Sequence, residues 1–528
     1  MPVEPILLLA PPGCGKTEAL ALRAAGLVAG GHVPPPRRVL ALTFSNKARD
    51  NLGDRLRTRL GRRRAAATVT VQNFHGFSAR VVCGHGHLIG IGHDVVMPDR
   101  RWAKTELDSL SSDRNEKTEA LNTIREAKQQ AVTDADVAAT IAGSGNALAI
   151  ELERRRLEEN RLDFDDLLRC AVQLLEIDGV RRLYRAHFAA VLVDEMQDMT
   201  VRQLDLALSL GPERLTLAGD AAQGIYTFAG AAPDAVAARF EMEDPTVLLL
   251  TENYRSAPAV LELVSAMARS IGGEEVSCAD EGAWDERGEV RVLRYANTQE
   301  EAAAILDAVA TLLERDPSLS IGVVARSHFR KQWVEDAAAT RGYDFQCWDR
   351  AVDTPAVRGV LQRCAKRIAD GRSTEALPQL TEMCLAECPA DDVDLRDGIL
   401  DALDLVGELC ESGSSLENVM GTLSVRSIEA VSPGLHFLNA HVGKGQQFDW
   451  VVVLGMEAGS IPSYLAKTDA EKQEELRVLH VMCSRARRGL LFTVARDVRS
   501  DPDREWLRNE SPWLKRIQDF TTGEGMPV

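Results

Sequence analysis

The opening stretch constrains this chain more than any other part of it. A short apolar run, residues 6–10, leads directly into Ala10, Pro11, Pro12, Gly13, Cys14, Gly15, Lys16 and Thr17, and helix-forming residues follow. A strand that turns through glycines into a helix is a cradle for phosphate. The N–H groups of the turn and the positive end of the helix face the same anion. In that arrangement Lys16 reaches the β- and γ-phosphates of a nucleotide, Thr17 offers its hydroxyl to Mg2+, and Gly13 and Gly15 allow the tight loop. Ala10 stands where the commonest pattern has its first glycine.

Such a loop belongs to a parallel sheet with crossover helices, and the chain supplies the rhythm for one. Apolar runs at 39–43, 190–193 and 215–218 read as strands between amphipathic segments. The same alternation returns at 290–295, 321–325, 436–439 and 450–455, which predicts a second α/β core. Residues 84–160 and 347–421 lack strand rhythm and read as helical insertions, and 501–528 as a tail. A first core then spans 1–83 and 161–255, and a second 256–346 and 422–500. The 191–193 strand runs straight into Asp194 and Glu195. A P-loop sheet presents its Mg2+ ligand and its water-activating base at that point, so Asp194 reads as the first and Glu195 as the second. The two motifs together predict NTP hydrolysis.

Composition narrows the class. At 528 residues the chain outgrows one core. Apolar residues at 45% and charged ones at 27% are globular values. No apolar run is long enough for a membrane span, and residues 6–10 lack the basic start and length of a signal peptide. Ten scattered cysteines suit reduced thiols, and a cytoplasmic location is expected. The net charge of −17 repels phosphate at long range but leaves a local cationic groove free to bind a nucleic-acid backbone. Arg55, Arg57, Arg59, Arg62, Arg63 and Arg64 form the one basic run, a face for nucleic acid or a solvated helix face, and taken alone it reads as the second. Cys83, His85, His87 and His93 have zinc-like chemistry but sit among turn glycines without a second cysteine pair. Cys384 and Cys388, at helical spacing, read as packing residues.

The ordered motifs resemble those of UvrD/Rep-type helicases of superfamily 1A. Residues 194–198 (DEMQD) resemble the family's DExQD box, 42–48 (LTFSNKA) its LTFTNKA motif, Phe74 and His75 its FHxF element, and 163–168 its DFDDLL segment. Residues 219–226 (GDAAQGIY) resemble GDxxQSIY, 253–256 match NYRS, 441–449 resemble HxxKGxEFD, and 483–487 the closing LTRAK element. The resemblance spans almost the whole chain. It implies two RecA-like P-loop NTPase cores with helical accessory insertions, and an ATP- and Mg2+-dependent DNA motor moving 3′ to 5′ in repair, replication restart or recombination. Carried over by position, it implies that Tyr254 stacks on adenine and that Gln223, Arg255 and Arg485 approach the γ-phosphate, the two arginines as fingers. It assigns Phe44, Asn46, His75, Tyr226, Phe228 and His441 to a groove for single-stranded or tailed duplex DNA.

Departures from the family pattern are equally specific. Only nine residues precede Ala10, so the family's helix with an adenine-reading glutamine is not expected there, and nucleotide choice is expected to rest more on Tyr254. Ala229, Asn439 and Gln447 stand where the family usually has arginine, threonine and glutamate. The second insertion is short, which favours translocation over unaided unwinding. These features keep an alternative open, a helicase-like regulatory ATPase or DNA-end sensor subunit that works with a separate nuclease in an antiviral-defence or recombination complex; a nuclease or a repair-complex protein is the expected protein partner.

Overall fold

The computed structural model describes residues 4–227, 230–348, 355–368, 376–389, 431–441, 445–498 and 507–523, with short stretches between 395 and 416. Its first sheet is built from β1 (Ile6–Leu9), β2 (Arg38–Thr43), β3 (Val69–Asn73), β4 (Phe188–Val193), β5 (Leu215–Gly219) and β6 (Thr246–Leu249), in the order β3-β2-β4-β5-β1-β6. Every pairing is parallel. Parallel strands are covered on both faces, and β4 is buried along its whole length accordingly. Alternation sorts its side chains: Val191 and Val193 join one apolar cluster with Leu40 and Leu42, while Ala190 and Leu192 join another with Val39 and Ala41.

A two-strand ribbon, β7 (Glu252–Asn253) with β8 (Ser277–Cys278), marks the crossing to the second half. The second sheet comprises β9 (Glu289–Asn297), β10 (Ser320–Ala325), β11 (Phe345–Cys347), β12 (Gly434–Asn439), β13 (Phe448–Leu454) and β14 (Ala486–Asp497). Its order is β11-β12-β10-β13-β14-β9, again all parallel. Val451 and Val453 face one cluster, and Trp450, Val452 and Leu454 the other. The segment read as a tail is anchored, since Leu514 and Ile517 of a short helix are buried in this core.

Between β3 and β4 lies a group of helices, including Arg100–Leu110, Arg114–Gln130, Asp134–Ser144 and Ala147–Glu158. Asp113, Thr133 and Asn146 cap three of these helices with their side chains. The group has its own small core around Ile124, Val137 and Leu152. It is fastened to the first sheet's helices through charge. Lys128 is wholly buried and pairs with Asp166 at 2.9 Å, Glu153 at 3.1 Å and Asp163. Arg156 bridges Asp166 and Glu153, and Arg169 pairs with Asp166 and Asp134. A parallel arrangement sits in the second half, where Arg330 is held between the buried carboxylates of Glu301 and Glu457 at 2.8 and 2.9 Å.

Cys384 and Cys388 lie in an apolar cluster with Val357, Leu361 and Leu380. His85 packs edge-on to Tyr184. Arg55 and Arg59 both pair with Glu18, and Arg57 with Asp54. No helix among the described residues is long and apolar enough to cross a membrane.

Candidate active site

The loop after β1 turns where its glycines allow it. Gly13 and Gly15 have φ of 81° and 83°, the left-handed region open to glycine. Gly13 carries a second constraint, because a Cβ there would stand 2.4 Å from the Asn253 side-chain nitrogen and 2.8 Å from Arg255 Cβ. Asn253 clasps the loop by donating Nδ2 to Pro12 O at 2.6 Å, and the Tyr254 N–H donates to Gly13 O at 3.1 Å. Asn253 Oδ1 accepts from the N–H groups of Arg255 and Ser256 at 2.8 and 2.9 Å.

Lys16 and Thr17 open the helix Lys16–Ala29. Lys16 Nζ donates to Glu195 Oε2 at 2.5 Å and lies 3.9 Å from Asp194. The Thr17 hydroxyl donates to Asp194 Oδ2 at 3.0 Å. Burial opposes the Lys16 charge, but Glu195 and Asp194 outweigh it and hold the ammonium above its ordinary pKa. Burial pushes the Asp194 carboxyl up to about 6, against the pull of Lys16. Glu195 itself has φ 60° and ψ 49°, a left-handed conformation that costs a side-chain-bearing residue roughly 1–2 kcal/mol. The surrounding bonds hold it there: Gln197 donates to its carboxylate, and its own N–H donates to Asp194 Oδ1 at 3.0 Å. Gln197 also accepts from the Asp220 N–H at 3.0 Å, and Asp220 accepts from Gln223 Nε2 at 2.8 Å.

Two arginines meet beside the loop, Arg255 just past β7 and Arg485 just ahead of β14 of the second sheet. Arg255 Nη1 donates to Ser484 O at 3.1 Å, which joins the loop's neighbour to the segment carrying Arg485. Arg485 is 2% exposed and donates from Nη2 to Ala440 O at 3.0 Å. Among the described residues, its Nε and Nη1, and Nε of Arg255, are buried without an acceptor. Burial depresses the pKa of both guanidiniums, the mark of desolvated charge short of a counter-ion. Orphaned buried donors of this kind fit an anion with several oxygens. The Thr17 and Asp194 oxygens likewise suit a hard cation such as Mg2+.

A line of rings crosses between the sheets. Phe44, just past β2, is 5.1 Å from Tyr226, which is 6.1 Å from His441 beyond β12. The Tyr226 hydroxyl donates to His441 O at 2.9 Å. His75 instead meets Phe164 edge-on at 5.4 Å. Tyr254 is 69% exposed and donates its hydroxyl to Glu252. Asn46 opens the helix Asn46–Leu60. Phe228 and Ala229 lie outside the described residues.

Two domain families match the chain, the UvrD/REP helicase N-terminal domain over residues 1–241 and the UvrD-like helicase C-terminal domain over residues 412–497. The chain belongs to the UvrD/Rep helicase family. As a member of that family it is an ATP hydrolase. Along its full length it is 26% identical to the ATP-dependent DNA helicase UvrD2 of Mycobacterium tuberculosis, of which the match covers 81%. Over 59% of its length it is 30% identical to the ATP-dependent DNA helicase UvrD1 of Mycobacterium leprae, covering 43% of that protein. Over 50% it is 29% identical to the ATP-dependent DNA helicase PcrA of Bacillus subtilis, covering 38%. The contacts of Asn253 with the loop and of Gln197 with the Glu195 carboxylate were not anticipated from the sequence. Their signal was their place in the motifs at 253–256 and 194–198.

Proposed function

We propose that this UvrD/Rep-type protein is an ATP- and Mg2+-dependent motor on single-stranded DNA, running 3′ to 5′ and acting in repair, replication restart or recombination. The observation that carries the reading is the meeting of the Lys16 loop with Arg255 and Arg485, whose Nε groups, together with Nη1 of Arg485, are buried without an acceptor among the described residues. Lys16 would grip the β- and γ-phosphates, and Arg255 and Arg485 would clamp the oxygens on which negative charge builds. Glu195 would take the proton of the attacking water, and Gln223 would lie at the γ-phosphate. Thr17 and Asp194 would hold Mg2+, which when bound offsets phosphate charge. For Lys16 to reach phosphate it must exchange its 2.5 Å bond to Glu195, which releases that carboxylate for base chemistry in the same event.

The coupling to DNA follows from where the arginines sit. Arg485 precedes β14 of the second sheet, so complete charge compensation requires both sheets to close on one nucleotide. Phe44, Tyr226 and His441 span that same gap and would carry stacked bases across it, each cycle of closure advancing the strand.

Turnover of ATP by the purified chain, with and without single-stranded DNA, tests the reading, and Lys16→Ala excludes contamination. Strong stimulation that the variant loses supports a DNA-driven motor; negligible turnover with DNA overturns it. Arg485→Ala should lower kcat by roughly 10³-fold or more, and Arg485→Lys should fail to restore it, because a point charge lacks the planar fork. Steady-state kinetics check this, and a lysine variant with near-native kcat would remove Arg485 from the site. Phe44→Ala should weaken single-stranded DNA binding by about 1–3 kcal/mol without altering DNA-free ATP turnover, measured by anisotropy. Displacement of strands from 3′- and 5′-tailed duplexes tests polarity.

A further inference from the structure

The edge strand β6 is built against ordinary expectation. It is the outermost strand of the first sheet and pairs with β1 alone among the described residues. All four of its residues are exposed, with Val247 at 56%, Leu248 at 44% and Leu249 at 46%, and Met242 just upstream at 75%. Edges are normally blunted by a charge, a proline within the strand or a bulge, because their free N–H and C=O groups recruit other strands. Residues 246–251 read Thr-Val-Leu-Leu-Leu-Thr and carry none of these. Thr246 and Leu250 donate their N–H groups inward, to Pro5 O and Leu9 O. By alternation Val247 and Leu249 turn theirs outward.

The ends of this strand are acidic. Glu241 and Asp244 are exposed at its start and Glu252 at its end, while Glu243 is offset by Arg239 at 3.4 Å. Two copies of the chain paired antiparallel along β6 would bring Glu241 and Asp244 of one against Glu252 of the other, and the chain carries a net charge of −17. Like charges on that scale disfavour self-pairing. We propose that β6 is a docking edge for an extended apolar segment of a partner protein, flanked by Lys or Arg, which joins the first sheet as an added strand. Main-chain bonds at Val247 and Leu249 give the grip, and the acidic ends select the partner. The strand leads within four residues to Asn253, which clasps the P-loop, so the docked segment lies beside the nucleotide loop.

The test uses the full chain and two fluorescent synthetic peptides with the same Val-Thr-Val-Ile-Val core, one flanked by lysines and one by glutamates. Anisotropy should show the lysine-flanked peptide binding about tenfold tighter or more. The double variant Val247→Pro, Leu249→Pro removes the outward N–H groups but none of those that pair with β1, and should lose that binding about tenfold while keeping ATP turnover within about twofold. Should those prolines prevent folding, Glu241→Lys with Asp244→Asn leaves the strand backbone intact and should abolish or invert the peptide preference. Equal binding of both peptides, binding of neither, or a preference unmoved by Glu241→Lys with Asp244→Asn overturns the proposal. Sedimentation of the chain as a dimer that the proline variant dissolves would make a second copy the occupant and overturn it as well.

Discussion

Glu195→Gln should lower ATP turnover by roughly 10²–10⁴-fold while leaving ATP binding as tight as in the parent chain or tighter. The two halves of this expectation have separate causes. Removing the carboxylate removes the group placed to accept a proton from water. It also removes the charge that holds Lys16 at 2.5 Å, so the ammonium is freer to meet phosphate. Lys16→Ala should behave differently, losing binding and turnover together. Equilibrium binding of a fluorescent ATP analogue beside steady-state turnover separates the cases. If Glu195→Gln weakens binding as much as Lys16→Ala does, the carboxylate is a structural partner of the loop and not its base.

Lys128→Met should destabilise the first half by about 3–5 kcal/mol, the cost of stripping the counter-charge from buried carboxylates. Lys128 lies at the meeting point of Glu153, Asp163 and Asp166, and Arg156 and Arg169 serve mainly Asp166 and Glu153, so Asp163 loses most. Burial and the neighbouring Asp166 already raise the Asp163 carboxyl, and burial with Asp163 pushes Asp165 up to about 7. Without the lysine these values rise further. A carboxyl whose folded pKa is raised above its unfolded value stabilises the fold at low pH, and that contribution is lost as pH rises through the folded pKa. The variant should therefore recover part of its deficit on acidification, with a smaller gap in unfolding midpoint at about pH 5.5 than at about pH 7.5. Denaturant melts at both pH values decide it, and an unchanged gap would mean that the loss comes from packing alone.

Legibility in the sequence followed the distance over which chemistry is spread. The Lys16 loop and the Asp194–Glu195 pair were readable because each is contiguous and framed by an apolar strand. The strands predicted at 39–43, 190–193, 321–325 and 450–455 appear as β2, β4, β10 and β13, extended or trimmed by one or two residues. The twelve-residue β14 was missed because it opens with Ala486, Arg487 and Arg488, whose charges mask an apolar run, and because its start was absorbed into a motif. Strand β11 has three residues, β3 carries Thr70, Gln72 and Asn73 and is only half-buried at its centre, and β6 is exposed on both faces, so none shows the apolar run that marks a buried strand. The clasp of Asn253 on Pro12 joins residues 241 positions apart, and Lys128 meets Asp163 across 35; no local pattern encodes either. The aromatic line could be anticipated only as a set, and its spacing comes from tertiary structure.

Strand order also dictates a timetable for synthesis. The first sheet has all six strands once residue 249 has left the ribosome. The second sheet does not, because β9 sits at an edge and among the described residues its sole strand partner is β14, the last strand made. At roughly 5–20 residues per second, β9 waits on the order of 10–40 seconds for a neighbour. The nascent chain thus spends that interval as a finished N-terminal half trailing an open, apolar second half. Stalling or premature termination after residue 249 but before β14 is complete would yield a protein that still presents an intact P-loop sheet yet lacks Arg485 or its support, a species suited to capture by chaperones and proteases rather than to slow repair.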